Sequence, residues 1–430
     1  MPLIEQIPMQ IYIDRRKELV DRIKKQHNAT TGIVVLIADF EGECKRFRQD
    51  PSFYYYTGIE EPACMLIIDV GSGKSTLYTP NFGDERKKWV VSQTQPGNHA
   101  ALGVDAIEYT GKPCVGYQCY PFFTDNEYAH VIELFKHCIS ARIPVYTLAP
   151  TVAHSYIDQR FVLLRLGQMI DGFHQSIVDV SPIVATMRRK KSHRELELLY
   201  KAILITEDAH DAFARVLEPG KVEYELQATI EYMFTFQGAS QAFPSIVATG
   251  KNGTVLHYMQ NNTPVKAGDL VVVDIGADYN YYCADITRTY PVSGKFTDRQ
   301  KEIYNLVLET QEYIASIAKP GLWLSNKNEP EQSLNHLAKA YLKERGYDQY
   351  FLHGIGHFLG IDVHDVGDYS IPLMPGDVIT IEPGIYIADE GIGVRIEDDY
   401  WVVEDGVECL SRDLPKDIPA IEDMVNSSIE

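Results

Sequence analysis

A chain of 430 residues exceeds one typical domain, so two or three are expected. Hydrophobic residues make up 45%, ordinary for a soluble protein, and no stretch approaches the ~18 consecutive apolar residues of a membrane span. The formal net charge of −20 disfavours nucleic acid and anionic membranes as partners, because both select basic patches.

In chain order, the first ~175 residues mix apolar strand-like runs, Gly32 to Ala38 and Cys64 to Val70, with helical patterns, as α/β domains do. Tyr54, Tyr55 and Tyr56 offer a stacking surface, but strand and interface packing is the plainer reading. Val180 to Lys191 reads as a linker. Ser192-His-Arg-Glu195 is a capping box, and its helix runs to Leu217 before Pro219-Gly220 stops it. A second helix follows from Tyr224 to about Phe236, then strands over Ser245 to Thr249, Asp269 to Ile275 and Tyr282 to Tyr290. Thr297-Asp-Arg-Gln300 is another capping box, whose helix ends at Pro320-Gly321. A further helix precedes Gly346, and strands return at Asp377 to Ile387 and Gly393 to Val403. The start of the chain lacks the basic-then-apolar pattern of a signal peptide. The seven cysteines (Cys44, Cys64, Cys114, Cys119, Cys138, Cys283, Cys409) are odd in number and scattered. Reduced thiols in a cytoplasmic protein fit that usage, and a zinc knuckle does not.

The pattern repeats within itself. Ala267 to Gly276 aligns with Pro375 to Gly384 at a constant offset, matching Asp274 with Glu382. His257 precedes the first segment much as His364 precedes the second. Helices, breakers, acids and histidines recur in one order, which implies a duplicated half-domain. A tight turn at Tyr279-Asn280 sets Asp274 opposite Asp285, with Cβ atoms ~5 Å apart. A turn at Asp389-Glu390 sets Glu382 opposite Glu397, although Gly391 and Gly393 leave room for a bulge. Ionised acids among Val273, Ile275, Ile381 and Ile396 are costly unless a cation lies between them. One acid pair would read as hairpin ends facing water. Two pairs in equivalent positions suit two divalent cations ~3.5 Å apart. First-row metals also take imidazole, and His257, His353, His357 and His364 flank the acids.

These residues resemble the pita-bread metallopeptidases of the aminopeptidase P and prolidase group. The matching stretches are Val255 to Tyr258, Asp274 to Gly276, Ala284 to Thr289, His353 to Gly367, Glu382 to Tyr386 and Gly393 to Asp399. Phe47 to Gly58 resembles the N-terminal domain of the same enzymes. The resemblance implies an α+β protein, with a creatinase-like α/β domain over 1–178 and a pseudo-twofold pita-bread catalytic domain over 179–430. It implies that Asp274 chelates one metal, that His357 and Glu382 bind the other, and that Asp285 and Glu397 bridge the two. Manganese is the expected ion, and the ligand set also admits cobalt, zinc or iron. A hydroxide bridging the metals would attack the scissile carbonyl, with Glu382 as general base. His364 would assist the tetrahedral intermediate, His257 and His353 would contact substrate near the leaving proline, and Arg395 would hold a ligand carboxylate.

The implied activity is release of the N-terminal residue from peptides with proline second. The alternatives are a dipeptidase restricted to Xaa-Pro and, more remotely, a non-catalytic binding protein that has kept its ligands. A creatinase-like metal-free hydrolase would have replaced carboxylates, which this sequence has not. Proline-containing peptides are the expected partners, in a cytoplasmic homodimer or homotetramer.

Overall fold

A computed structural model describes residues 7–42, 45–82, 86–92, 94, 97–111, 128–150 and 156–427. It divides into two compact units, Glu5–Met187 and Arg188–Glu430.

The first unit is built on a six-stranded mixed sheet. Its strands are β1 (Ile33–Ile37), β2 (Met65–Asp69), β3 (Ser75–Thr79), β4 (Ala106–Tyr109), β5 (Val145–Thr147) and β6 (Ile177–Asp179), in the order β4-β3-β2-β1-β5-β6. β1 is buried at every position because its sequence, IVVLI, is apolar on both faces. The helices Ala129–Ser140 and Ile157–Met169 cover the sheet, with Val131, Phe135 and Leu166 packing against Val35 and Ile67. The tyrosine run is helical, which corrects the strand expectation. Asp50 caps the helix Pro51–Thr57 by accepting from the Phe53 N–H at 2.7 Å, and Pro51 suits the first turn. Tyr55 and Tyr56 are buried there, with the Arg15 guanidinium 3.8 Å from the Tyr55 ring centre, so packing accounts for both.

The expected linker is also helical, over Ser181–Arg189. Asp179 caps it through the Ser181 N–H and hydroxyl at 2.9 and 2.8 Å. Its charged end is buried in ion pairs. Arg189 makes a bidentate bridge to Asp377, both contacts at 2.6 Å, and Asp365 meets Arg188 at 2.5 Å and Lys191 at 2.9 Å.

The second unit repeats a helix pair followed by a long hairpin. Ser192 and Glu195 form the expected capping box of the helix His193–Val216, and Thr297 and Gln300 that of Asp298–Ile317. Glu223–Phe236 and Leu334–Glu344 are the second helices of each pair, and Ile418–Asn426 closes the described chain. The first half carries β7 (Ser240–Gln241), β8 (Ile246–Thr249), β9 (Leu270–Ile275), β10 (Ala277–Tyr279), β11 (Tyr282–Cys283) and β12 (Ile286–Pro291). The second carries β13 (Val378–Ile381), β14 (Gly384–Ile387), β15 (Ile392–Arg395), β16 (Asp398–Val402) and β17 (Val407–Cys409). In each half one antiparallel hairpin breaks midway, so that β9 and β12 continue as β10 and β11, and β13 and β16 as β14 and β15.

The first register differs from expectation. The turn centres on Asn280 and Tyr281, both left-handed at φ 49° and 74°, and the Tyr281 N–H is held by Asp278 Oδ1 at 3.0 Å. Asp274 therefore pairs with Thr287, while Asp285 lies opposite Gly276. Moving the turn by one residue shifts each partner by two, which keeps the acids on one face as diagonal neighbours. In the second hairpin Gly384 pairs with Arg395 and Ile381 with Asp398, so Glu382 does oppose Glu397. The two halves are joined where Thr287 bridges Glu397, the Glu397 N–H reaching the Thr287 carbonyl at 3.1 Å.

Cys64, Cys138 and Cys409 are free thiols, the Cys283 thiol donates to the Ile361 carbonyl at 3.4 Å, and Cys44, Cys114 and Cys119 lie outside the described residues. No helix among the described residues is long and apolar enough to cross a membrane.

Candidate metal centre

The hairpin breaks carry the acids. Asp274 is the penultimate residue of β9, Glu382 follows β13, and Asp285 and Glu397 stand just before β12 and β16. His357 arrives on a loop docked along β13, where its N–H meets Thr380 Oγ1 at 3.1 Å and its carbonyl takes the Thr380 N–H at 2.9 Å. This approach needs glycine at 356, since a Cβ there would lie 2.0 Å from the Thr380 carbonyl oxygen. His357 Nδ1 donates to the Phe358 carbonyl at 3.0 Å, which leaves the Nε2 lone pair facing the acids. Nε2 lies 3.2 Å from Asp285 Oδ2, 3.7 Å from Glu382 Oε1 and 3.9 Å from Glu397 Oε1. Ligating atoms of Asp285, His357 and Glu397 all fall within 4.8 Å of one another.

The donor set fits divalent cations. Asp274 Oδ1, Asp285 Oδ1 and Glu397 Oε1 are buried without a hydrogen-bond partner, a costly arrangement unless a positive ion completes it. Burial, reinforced by the neighbouring carboxylates, raises the pKa values of Asp285 and Glu397 well above the usual range. Burial pushes Glu382 up to about 7.

Arg395 is buried and anchors Asp274 at 2.5 Å through Asp274 Oδ2, while also meeting the Tyr386 hydroxyl at 2.7 Å and Thr287 Oγ1 at 3.2 Å. It occupies the position opposite Gly384 that Asp285 occupies opposite Gly276, so the repeat carries an acid in one half and a base in the other. His353 lines the site with Nε2 on the Tyr386 hydroxyl and Nδ1 on the Gly354 carbonyl, both at 2.8 Å. His364 packs edge-on against His357, ring centres 4.4 Å apart. Burial lowers both His353 and His364 to about 4, aided by Arg395 and His357 respectively, so both are neutral imidazoles at pH 7.

The four acids, Arg395 and the histidines His257, His353, His357 and His364 open onto one cavity of about 390 Å³. Asp274, Asp285, His357, Glu382, Arg395 and Glu397 form one side, and Phe243, Pro244, Ile246, Leu256, Met259 and Val363 supply an apolar wall. That wall and Tyr386 escaped the sequence reading. Tyr386 stands at the end of a stretch already singled out, but the wall residues carry no spacing signal, being ordinary apolar positions until the fold gathers them.

Comparison with known proteins extends over nearly the whole chain. Residues 197–404 match the model of Metallopeptidase family M24, and residues 12–112 match the Aminopeptidase P, N-terminal domain. The Xaa-Pro aminopeptidase of Haemophilus influenzae is 33% identical over 406 residues, covering 88% of this chain and 89% of the relative. That of Escherichia coli is 31% identical over 451 residues, covering 97% and 98%. Among solved structures, Pseudomonas aeruginosa aminopeptidase PepP gives a TM-score of 0.83 at 29% identity over 99% of both chains. Zn-substituted Escherichia coli aminopeptidase P in complex with product gives 0.81 at 28% identity, covering 99% of this chain and 100% of that one. The architecture is thus a creatinase-like α/β domain followed in the chain by the pita-bread fold. This chain is a peptide hydrolase belonging to the aminopeptidase P group of metallopeptidase family M24.

Proposed function

We propose that the protein is an Xaa-Pro aminopeptidase with two divalent ions, releasing the N-terminal residue from peptides that carry proline second. The observation that supports this best is the cluster of four carboxylates and His357, with three buried oxygens lacking partners, opening onto a half-apolar cavity. In this reading Asp274, Asp285, His357, Glu382 and Glu397 would together hold the two ions. Manganese is the proposed metal, on the resemblance that suggested it. When bound, the ions supply Lewis acidity, lowering the pKa of water and polarising a carbonyl oxygen.

The chain's own residues supply the rest. Glu382 is the most solvent-reached of the four acids, its side chain 18% exposed against 2% for Glu397, 7% for Asp285 and 12% for Asp274. It is therefore the acid best placed to take a proton from the attacking water. His364, a neutral imidazole, offers a hydrogen bond to substrate without bringing charge, and His257 lines the same cavity. His353, whose Nδ1 lies 3.6 Å from Glu382, joins the Tyr386–Arg395–Asp274 chain through the Tyr386 hydroxyl. The apolar wall suits a proline ring, whose peptide nitrogen has no proton to satisfy. The acidic side of the cavity suits a free substrate amine. We place the enzyme in the cytoplasm as a homodimer or homotetramer, which fractionation and light scattering test.

The deciding experiment is chelation, add-back of Mn²⁺, Co²⁺ or Zn²⁺, and hydrolysis of Xaa-Pro peptides of increasing length. Cleavage of an Xaa-Pro-Yaa tripeptide is the expected result. Cleavage of the dipeptide alone would make the protein a dipeptidase, and no metal uptake with no cleavage would sink the enzyme reading.

A further inference from the structure

The break in the second hairpin creates a hydrogen-bonding problem. Ile396 and Pro383 face each other, and the Ile396 N–H meets the Pro383 carbonyl at 3.4 Å. The return bond, from residue 383 to the Ile396 carbonyl, cannot form, because proline has no N–H. A buried carbonyl left without a donor is costly. A side chain from the helix Asp298–Ile317 fills the gap: Gln311 Nε2 donates to the Ile396 carbonyl at 3.2 Å and to the Ile381 carbonyl at 3.0 Å. Those carbonyls belong to the peptide bonds that lead directly into Glu397 and Glu382.

Gln311 is itself fully buried, and its orientation is fixed from behind. Its Oε1 accepts from Lys416 Nζ at 2.9 Å. Lysine can only donate, so the amide oxygen must face it and the NH₂ must face the strands. Asp398 Oδ2, 3.1 Å from Gln311 Nε2 and 2.8 Å from Lys416 Nζ, closes the network. The first half has a counterpart. Thr206, at the same distance beyond its capping residue Ser192 as Gln311 is beyond Thr297, takes the Ala277 N–H on Oγ1 at 3.0 Å, next to the break in that hairpin.

We infer that Gln311 is a positioning residue for the metal centre, its amide clamping the strand break that aims Glu382 and Glu397. This rests on reading those two acids as metal ligands. A clamp of this kind costs nothing in ligand identity when lost. It loosens two ligands at once, and losses behind a first ligand shell weaken metal binding by about tenfold to a hundredfold.

The test uses the full chain stripped of metal and titrated with Co²⁺, whose visible absorption reports ligand geometry, and with Mn²⁺ by calorimetry. Gln311→Met keeps the volume and removes the donor. Gln311→Asn keeps the amide but shortens the reach. Both should fold, bind the ions at least about tenfold more weakly with an altered Co²⁺ spectrum, and lower kcat more than they raise KM. Wild-type affinity and spectrum in a folded Gln311→Met variant would overturn the inference, as would failure of both variants to fold, which would make Gln311 structural only. The wild-type titration separates the two readings: if it takes up no metal, the ligand assignment fails. If it binds and the variants bind equally, only the clamp fails.

Discussion

Stripping the metal should make the stability of this protein fall as pH rises, and restoring it should flatten the curve. Glu382 provides the number. Burial moves it from an ordinary carboxylate pKa of 4.5 to about 7, so in the metal-free fold it holds a proton that the unfolded chain gives up. Below about 4.5 both states carry that proton and nothing is lost. Between about 4.5 and 7 only the folded state retains it, and stability declines by about 3 kcal/mol across that window. Asp285 and Glu397, both raised well above the usual range by burial and by their neighbours, extend the decline in the same direction to higher pH. A bound cation replaces the protons and removes the reason for the decline. The assay is urea unfolding at pH 5, 6, 7 and 8, on chelated protein and on protein saturated with Mn²⁺. Taking the difference at each pH cancels every titrating group remote from the site. The gap between loaded and stripped protein should widen with pH. Coincident curves, or a gap that narrows toward pH 8, would refute the argument.

Glu382→Ala and His357→Ala should each abolish peptide turnover while leaving the circular dichroism spectrum unchanged, and full activity in either would sink the site assignment. Asp285→Asn or Glu397→Gln should lower metal content below the wild-type stoichiometry by elemental analysis, because each is proposed as a metal ligand. Gly356→Ala should push the His357 loop off β13, since the new Cβ would sit 2.0 Å from the Thr380 carbonyl oxygen. Overpacking of that kind costs about 1–3 kcal/mol, and metal affinity should fall with it, as thermal unfolding with and without Mn²⁺ will record.

Much of the fold can be read where the sequence signal is local. Ser192 with Glu195 and Thr297 with Gln300 announce their helices by hydroxyl and carboxylate or amide alone, and both capping boxes form. The second hairpin register follows from a turn with Gly391 in the left-handed region. The first register was misplaced because its turn uses Tyr281 at φ 74°, a conformation glycine would advertise and tyrosine conceals. Charged Arg188, Arg189 and Lys191 suggested a linker because their partners, Asp365 and Asp377, lie far along the chain. The five proposed ligands stand out in the sequence as repeated acids beside a glycine-rich histidine segment, and the fold brings them to one cavity. The wall of Phe243, Leu256 and Met259 depends on how the segments on either side of β8 curl, which no short pattern encodes.

The ion pairs at the start of the second unit also carry a kinetic consequence. Arg189 and Asp377 are 188 residues apart, and Arg188 and Asp365 are 177 apart. Closing loops of that length is slow and delays folding. On a ribosome, the three cations leave the exit tunnel long before either aspartate exists, and burying them unpaired would cost several kcal/mol each. These buried pairs can therefore form only after the segment carrying Asp365 and Asp377 has been made.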